Sequence, residues 1–268
     1  MVNNTLKTKP HKPAILLTFD VEEFDAALEF GNDIPLSEQL EVSTRGMKLV
    51  QEVLDRQGVV ATIFTTGTYA IHNKAFMQEL AQRHEIASHG MYHGSFDAKK
   101  DLPDSKLVLE EITGQEVVGF RMARMMPVEE SEIMAAGYSY NSSLNPTFLP
   151  GRYNHLDKPK TPFFHEGMLN IPASVSPTLR FPMFWLSFKN LPFSIYKYLS
   201  MNTLRKNGFL NVYFHPWEFT DLAAYNMPTY VKRHSKDVLI QRLEEYIIWL
   251  KDKGEFMTMK EYAAYFEL

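Results

Sequence analysis

The sequence contains no cysteine among its 268 residues. Disulfide bonds, thiolate metal ligands and a cysteine nucleophile are therefore excluded. Such a composition fits a reducing compartment, although exported proteins can lack cysteine too. An excess of basic residues is also missing, because 28 Lys+Arg stand against 32 Asp+Glu and the formal net charge is −4. We therefore expect no partner among the nucleic acids, whose phosphates require a basic surface.

Long apolar runs are absent as well. The N-terminal tail, residues 1–12, carries three lysines with no apolar segment behind them of the length found in a signal peptide. The apolar run from Tyr246 to Leu250 is far too short to span a membrane. We expect a cytoplasmic protein without a transmembrane segment, at most peripheral at the inner face of the membrane.

The residues that are present belong to an ordinary globular protein, with 45% hydrophobic and 22% charged residues. Short apolar runs such as Ala14 to Phe19 alternate with helical patterns such as Ser43 to Gln57, which ends before Gly58. Further strands are predicted at 59–64, 85–88, 117–120, 138–141 and 210–214, and further helices at 74–83, 104–112, 129–136 and 239–250. This alternation predicts an α/β architecture with a largely parallel sheet, either open or closed as a barrel.

Residues 145–188 interrupt the alternation. Seven of the fifteen prolines lie in this segment together with many aromatic residues. A segment so rich in aromatic side chains is unlike a solvated linker. We interpret it as a long ordered insertion that packs over the domain, either as a binding loop or as a hydrophobic lid or dimer contact.

Charged side chains follow the predicted strands. Asp20 and Glu22 come directly after the first strand, and their spacing of two places both carboxylates on one side of an extended chain. Capping of the next helix is the alternative role for such residues. His89 and His93 are four residues apart, a spacing that lets two imidazoles share one metal ion on a helical turn. The alternative for either histidine is a structural role.

Two further groups lie at strand ends. Arg121 follows the strand at 117–120, where a surface ion pair is the alternative role. His215 ends the strand at 210–214 and is followed by Pro216, Trp217 and Glu218. Because active sites of parallel α/β folds are built from the carboxyl ends of several strands, these groups should meet. The joint pattern predicts a metal-assisted hydrolytic site.

At this point the sequence resembles the polysaccharide deacetylases of the NodB-homology class, carbohydrate esterase family 4. The motifs that carry the resemblance occur in the family's order, as Thr18-Phe19-Asp20, Ser88-His89 to His93, Phe120-Arg121, Tyr140-Asn141-Ser142-Ser143 and Phe214-His215-Pro216. The Asp-Val-Glu opening and the His-Pro-Trp-Glu ending are similar to a subgroup in bacterial O-antigen and surface-polysaccharide biosynthesis. The resemblance implies one domain over residues 1–268, folded as a distorted (β/α) barrel with seven or so strands.

The resemblance also implies a role for each site residue. A divalent metal, zinc first and iron, cobalt or nickel as alternatives, would be held by Glu22, His89 and His93. Asp20 would be the general base and Arg121 would orient it, while protonated His215 would be the general acid. The expected reaction is removal of an N-acetyl, or less readily an O-acetyl, group from a sugar or from a lipid- or nucleotide-linked glycan.

The chain departs from the family pattern at three positions. Val21 stands where relatives carry a second aspartate, so the ligand role passes to Glu22. Ala123 replaces a proline that usually follows the arginine, and Arg124 is then a second candidate for orienting Asp20. Asn141 stands in the motif where an aspartate often supports the acid histidine.

Four residues are predicted to contact substrate: Tyr92, Asn141, Trp217 and Glu218. Stacking on a sugar ring is the role considered for the two aromatic residues, with buried packing as the alternative. Two other functions stay open. One is a metal-independent hydrolase of another amide, and the second is a catalytically silent carbohydrate-binding protein.

Overall fold

The structure is a computed structural model that describes residues 10–94 and 96–266. Residues 1–9, most of the predicted tail 1–12, lie outside the described residues. The strands follow in chain order as β1 (Ala14–Val21), β2 (Thr62–Thr65), β3 (Glu85–Ser88), β4 (Gly119–Phe120), β5 (Tyr140–Asn141), β6 (Phe148–Leu149), β7 (Tyr153–Asn154), β8 (Phe163–His165), β9 (Met168–Asn170), β10 (Phe209–Phe214) and β11 (Glu255–Phe256).

Helices alternate with these strands. In chain order they are α1 (Leu36–Gln57), α2 (Gly67–His72), α3 (Lys74–Ala81), α4 (Ala98–Thr113), α5 (Glu130–Ala135), α6 (Trp185–Asn190), α7 (Phe193–Asn207), α8 (Thr229–Lys232), α9 (Asp237–Leu250) and α10 (Met259–Ala263). Short 3-10 turns occupy Asp25–Phe30, Ala123–Met125 and Pro216–Phe219. Within the described part of the chain, no helix combines the length and apolar character needed to cross a membrane.

One curled sheet forms the centre of the molecule. Its strands lie in the order β10-β1-β2-β3-β4-β5-β9-β8, and β11 pairs with the start of β1. All pairs along this path are parallel except β9 with β8. The carboxyl ends of the parallel strands therefore share one rim, as the predicted (β/α) barrel requires. The predicted fold class is confirmed.

The sheet closes on itself without regular strand pairing. After β9 the chain crosses to β10, where the backbone N–H of Ser174 donates to the carbonyl of Asn211 at 2.9 Å. The side-chain amide of Asn211 donates to the carbonyl of Pro172 at 3.1 Å. Irregular backbone thus completes the barrel between β9 and β10, which makes the barrel distorted.

The two faces of β1 explain the position of the site. Ile15, Leu17 and Phe19 pack in the apolar layer beneath the helices. Ala14 and Leu16 belong to a second apolar cluster on the opposite face of the sheet. Because side chains alternate along a strand, Asp20 lies on the same face as Leu16, towards the inside of the barrel.

Several predicted boundaries differ from the structure. The helix predicted at 104–112 begins earlier, at Ala98. The strands predicted at 117–120 and 138–141 are only two residues long, Gly119–Phe120 and Tyr140–Asn141. The first long helix begins at Leu36 rather than at Ser43, because Pro35 takes the N-cap position and opens the helix earlier. Leu36, Ser37 and Glu41 are exposed in its first turns, so the apolar period there is weak. The second strand is Thr62–Thr65 rather than 59–64.

The segment 145–188 holds two antiparallel hairpins, β6 with β7 and β8 with β9. The second hairpin joins the central sheet, because β9 pairs with β5. The chain after β9 then leads into α6, which begins at Trp185. The division of the chain into a domain and an insertion stays a prediction.

Candidate functional site

A cleft of about 320 Å³ opens at the rim formed by the carboxyl ends of the strands. Side chains from the ends of three strands meet there, since Asp20 lies in β1, His89 follows β3 and His215 follows β10. The cleft is also lined by Glu22, His93 and Trp217. The structure therefore brings together the carboxylate pair, the histidine pair and the third predicted histidine, His215.

Three predicted ligand atoms converge in this cleft. Oε2 of Glu22 lies 3.1 Å from Nε2 of His89 and 2.8 Å from Nε2 of His93. The three ligand atoms lie within 4.8 Å of one another. The side chains of all three residues are nearly buried. Two imidazoles and one carboxylate, with further positions open towards a cleft, form a donor set typical of catalytic zinc.

The Nδ1 atoms of both imidazoles, which point away from Glu22, already form hydrogen bonds. Nδ1 of His89 donates to the carbonyl of Arg121 at 2.8 Å, and Nδ1 of His93 donates to Oδ2 of Asp25 at 2.6 Å. With its proton on Nδ1, a neutral imidazole turns the lone pair of Nε2 towards Glu22. Two lone pairs and a carboxylate repel one another unless a cation or a proton lies between them, so the residues fit a divalent metal.

The charges of this cluster are strongly coupled. Burial raises the pKa of Glu22, but the charge of His93 and hydrogen bonds from both histidines outweigh burial and hold that pKa well below its usual value. Burial lowers the pKa of His93, and its interactions with Glu22 and Asp25 reverse this effect and raise the pKa to about 10. Glu22 is therefore ionised at neutral pH, and the proton that His93 holds beside it is the one that a divalent metal would displace.

The predicted base and its orienting arginine form a buried ion pair. Nη1 of Arg121 lies 2.6 Å from Oδ1 of Asp20 and also donates to Oγ1 of Thr18 at 2.9 Å. The rest of the guanidinium donates to the carbonyl and hydroxyl of Ser142 and packs 4.1 Å above the ring of Phe64. Arg121 is fully buried. Its contacts fix the guanidinium, which in turn holds the carboxylate of Asp20 at the cleft.

His215 is held on one edge and flanked by aromatic rings. Its Nδ1 lies 3.2 Å from Oε1 of Glu218, and its backbone N–H donates to the same oxygen at 2.7 Å. Trp217 stacks on the imidazole at 5.2 Å between centroids, and Trp185 meets it edge-on at 5.2 Å. Burial lowers the pKa of His215, whereas the hydrogen bond to Glu218 and the charge of Glu22 raise it, and the net direction is upward.

Three residues predicted to contact substrate lie elsewhere. Tyr92 is 44% exposed and is not among the described residues that line the cleft. Asn141 accepts hydrogen bonds from Ser143 and donates to Asn170, so it does not support His215. Glu218 is fully buried beneath His215 and takes that supporting position. Trp217, in contrast, lines the cleft.

Sequence reasoning missed several residues of the site. Asp25 lies in a 3-10 turn beyond β1 and holds His93. Arg124 contacts Asp25 at 3.3 Å and Glu29 at 3.0 Å rather than Asp20. The acidic run after the first strand was the available signal for Asp25. Trp185, the edge-on partner of His215, comes from the start of α6, and no local pattern links it to the site.

Comparisons with known proteins agree with this geometry. Residues 7–126 match the family model described as polysaccharide deacetylase. No curated protein matches the chain. Two similar solved structures are assigned as polysaccharide deacetylases. The Pseudomonas aeruginosa PAO1 protein has a TM-score of 0.68 and 17% identity, over 97% of this chain and 94% of that chain. The Mycobacterium smegmatis protein has a TM-score of 0.64 and 19% identity, over 96% of this chain and 94% of that chain. The Puue allantoinase is also similar, with a TM-score of 0.68 and 15% identity over 97% of this chain and 93% of that chain.

These findings define the fold of the protein. The curled sheet is the fold of the NodB-type deacetylases. The match to the model described as polysaccharide deacetylase covers residues 7–126, just under half of the chain. The matched range carries Asp20, Glu22, both site histidines and Arg121, while His215 lies beyond it.

Proposed function

We propose that the protein is a metal-dependent carbohydrate deacetylase that removes an N-acetyl, or less readily an O-acetyl, group. One observation carries the proposal. The side chains of Glu22, His89 and His93 converge in the same cleft as the Asp20–Arg121 pair and His215. A structural ion-pair cluster would explain one of these groups, but it would not place all of them around one cleft.

The residues divide the work of amide hydrolysis between them. Glu22, His89 and His93 would hold the metal, zinc first and iron, cobalt or nickel as alternatives. When bound, such a metal polarises an acetyl oxygen and lowers the pKa of a water molecule. Asp20, fixed by Arg121, accepts the proton of the attacking water. His215, held through Nδ1, donates a proton from Nε2 to the departing amine.

The walls of the cleft support a substrate with an apolar carrier. Leu149, Phe184, Leu186 and Tyr230 line the cleft and also line a second, mainly apolar groove beside it. The groove continues to Leu179, which is 83% exposed. Exposed apolar side chains that continue a binding cleft are typical of an interaction surface.

We infer that the sugar is attached to a lipid, as in precursors of O-antigen and other cell-surface polysaccharides. A nucleotide-linked sugar is the alternative. The apolar lining of the groove favours the lipid-linked form. In this proposal the protein is cytoplasmic and meets its substrate at the inner membrane face.

The first experiment measures metal content and acetate release together. Protein purified without added metal should contain about one transition metal per chain and release acetate from an N-acetylated sugar. His89→Ala should lose both properties. Asp20→Asn should keep the metal and lose most of the acetate release, because it removes the base while leaving the ligands. Parent protein that takes up no zinc would contradict metal dependence.

A second experiment addresses the carrier. Acetate release from an N-acetyl sugar bearing a long alkyl chain is compared with release from the free sugar. The alkyl form should have the lower KM, and Leu179→Ser should raise that KM while leaving the KM of the free sugar unchanged. Equal KM values for both substrates in the parent would contradict the lipid-linked substrate.

A second candidate function is hydrolysis of another amide without a tightly held metal. It is favoured by the similarity of the fold to the Puue allantoinase. Activity that survives a strong chelator would support it.

The silent carbohydrate-binding hypothesis rested partly on Asn141, and the contact of Glu218 with His215 weakens it, because a carboxylate does support the acid. Glycan binding without acetate release, unchanged in Asp20→Asn, would support the silent protein.

A further inference from the structure

Lys189 of α6 has no exposed surface. Burial lowers the pKa of its amine, and the charge of Glu218 opposes this shift. Its Nζ donates to the carbonyl of Val231 at 2.8 Å and lies 3.6 Å from Oε2 of Glu218. The side chain of Glu218 is also completely buried. Burying two opposite charges is costly, and apolar residues of the same size often do as well. The roles given above to the site residues do not account for this lysine.

The ion pair of Lys189 and Glu218 extends through Glu218 to His215. The second oxygen of Glu218, Oε1, accepts from the backbone and the ring of His215. The three side chains therefore form a row in which His215 alone faces the cleft, because neither Lys189 nor Glu218 is among the described residues that line it. Trp185 lies beside both ends of this row, 5.8 Å from Nζ of Lys189 and edge-on to His215. The carboxylate between them is thus kept away from solvent.

The charges in this row determine how tightly His215 holds its proton. When His215 is protonated, Glu218 balances it. When His215 is neutral, an isolated Glu218 would be a buried carboxylate without a countercharge, so the proton would return to the pair. The positive charge of Lys189 removes that penalty. The other titratable groups that face His215 are Asp20 and Glu22, both of which favour the protonated form, and Tyr213.

We propose that Lys189 is a positioning residue for His215: its charge balances the carboxylate of Glu218 once the imidazole has given up its proton, so that His215 can release that proton. The inference rests on the proposed deacetylation for the destination of that proton. As the C–N bond breaks, its electron pair stays on the amine nitrogen, which takes the proton from Nε2 of His215. The proton on Nδ1 stays in the hydrogen bond to Glu218, and the acyl carbon keeps the oxygen delivered by water as acetate.

The test is the titration of His215, followed through the NMR signal of its ring Cε1–H in the purified protein, with and without added zinc. Lys189→Met should raise the pKa of His215 by about one unit, because a nearby positive charge is lost. Lys189→Arg should restore the parent value. Glu218→Gln should lower the pKa, because it removes the anion. Lys106→Met, which removes a lysine near Tyr138, should leave the titration unchanged.

Kinetics give the second readout. Lys189→Met should lower kcat for acetate release about tenfold, with KM changed less than twofold and the alkaline limb of the pH profile moved upward. If Lys189→Met does not fold, the double variant Lys189→Met/Glu218→Gln provides the same test. Removing both charges should restore folding, and its His215 should titrate closer to the parent value than in Glu218→Gln alone.

The outcomes separate the two proposals. If no acetylated sugar is hydrolysed but Lys189→Met raises the pKa of His215, the role of Lys189 holds and the proposed function fails. An unchanged pKa of His215 in Lys189→Met, with only a lower melting temperature, would make the lysine purely structural and overturn the inference. A lowered pKa of His215 in that variant would also overturn it, because the loss of a nearby positive charge should raise this pKa.

Discussion

At the scale of single residues, the metal-binding cluster depends on side chains behind it. The spacing of four predicted that His89 and His93 can share a metal ion, and the family resemblance implied Glu22 as the third ligand. Asp25 lies beyond the strand, in a turn whose geometry no local pattern specifies. Its carboxylate fixes the tautomer and orientation of His93. The sequence thus predicts the proposed ligands better than the groups that orient them.

Asp25→Asn should weaken zinc binding by about 10- to 100-fold, because the uncharged amide no longer increases the basicity of His93. Competition with a zinc chelator measures the change. Glu29→Gln is the matched control, since Glu29 shares Arg124 with Asp25 but makes no contact with His93 that the structure describes. Its zinc affinity should match the parent within about twofold. Equal affinity in Asp25→Asn would exclude this role for Asp25.

His84 gives a prediction about stability and pH. It is buried beside β3, both ring nitrogens lack a hydrogen-bond partner among the described residues, and burial lowers its pKa to about 4. Asp55 opposes this shift and Arg83 adds to it. Between pH 6.5 and about 4 the unfolded chain takes up a proton that the folded protein does not. Stability should therefore fall across this window by about 3 kcal/mol, at 1.36 kcal/mol per pKa unit.

Urea unfolding at several pH values measures this loss. His84→Leu should remove about 3 kcal/mol of the pH dependence between pH 6.5 and 4 relative to the parent. The exposed His72 provides the control, because His72→Leu removes a histidine without removing a buried one. Its stability curve should run parallel to that of the parent. If the His84→Leu curve is parallel as well, the folded protein binds a proton on His84 as readily as the unfolded chain does.

At the scale of secondary-structure elements, α1 and the turn after β10 fit closely together. A Cβ atom added to Gly46 of α1 would lie 1.9 Å from the carbonyl oxygen of Pro216. Pro216 follows His215 directly, so α1 supports the turn that carries His215. The sequence places a helix here but gives no sign that its glycine contacts the His-Pro turn.

Gly46→Ala should therefore shift the turn at Pro216, with a cost of about 1–3 kcal/mol in stability as for other overpacked sites. We expect kcat to fall at least tenfold while zinc content stays at the parent level, since the ligands come from other elements. Metal analysis alongside steady-state kinetics separates the two effects. Glu52→Ala, on the exposed side of the same helix, should change stability by less than about 0.5 kcal/mol. A fully active Gly46→Ala would mean that the helix can move away without disturbing His215.

Strand ends account for most of what the sequence predicts about the site. Asp20, His89, Arg121 and His215 each follow an apolar run, and parallel pairing alone brings those ends to one rim. Asn141 also ends a strand, but its side chain turns to Asn170, a contact set by β9. Strand periodicity says which residues reach the rim. It does not say which neighbour each side chain will meet.

At the scale of the whole molecule, a bound metal should stabilise the fold. Glu22 and His89 come from different parts of the sheet, so the complete ligand set exists only in the folded chain. Zinc at 100 times its dissociation constant should add about 2.7 kcal/mol. For a chain of this size that is a rise of roughly 5–10 °C in melting temperature.

Thermal unfolding with increasing zinc tests this coupling. The rise should vanish in His89→Ala and persist in Asp20→Asn, which leaves the three ligands in place. Magnesium, which prefers oxygen ligands, is the control ion and should have little effect. A melting temperature independent of zinc in the parent would contradict a resident metal.

The closure of the barrel has a consequence for its motion. Regular ladders connect β10 through β1 to β9, whereas a few hydrogen bonds around Ser174 and Asn211 complete the circle. The barrel therefore has a seam, and thermal opening should begin there, because few bonds must break at once. The metal ligands lie along the continuous part of the sheet, while His215 stands on the strand beside the seam. Local widening at this seam would therefore move His215 while leaving Glu22 and His89 in place.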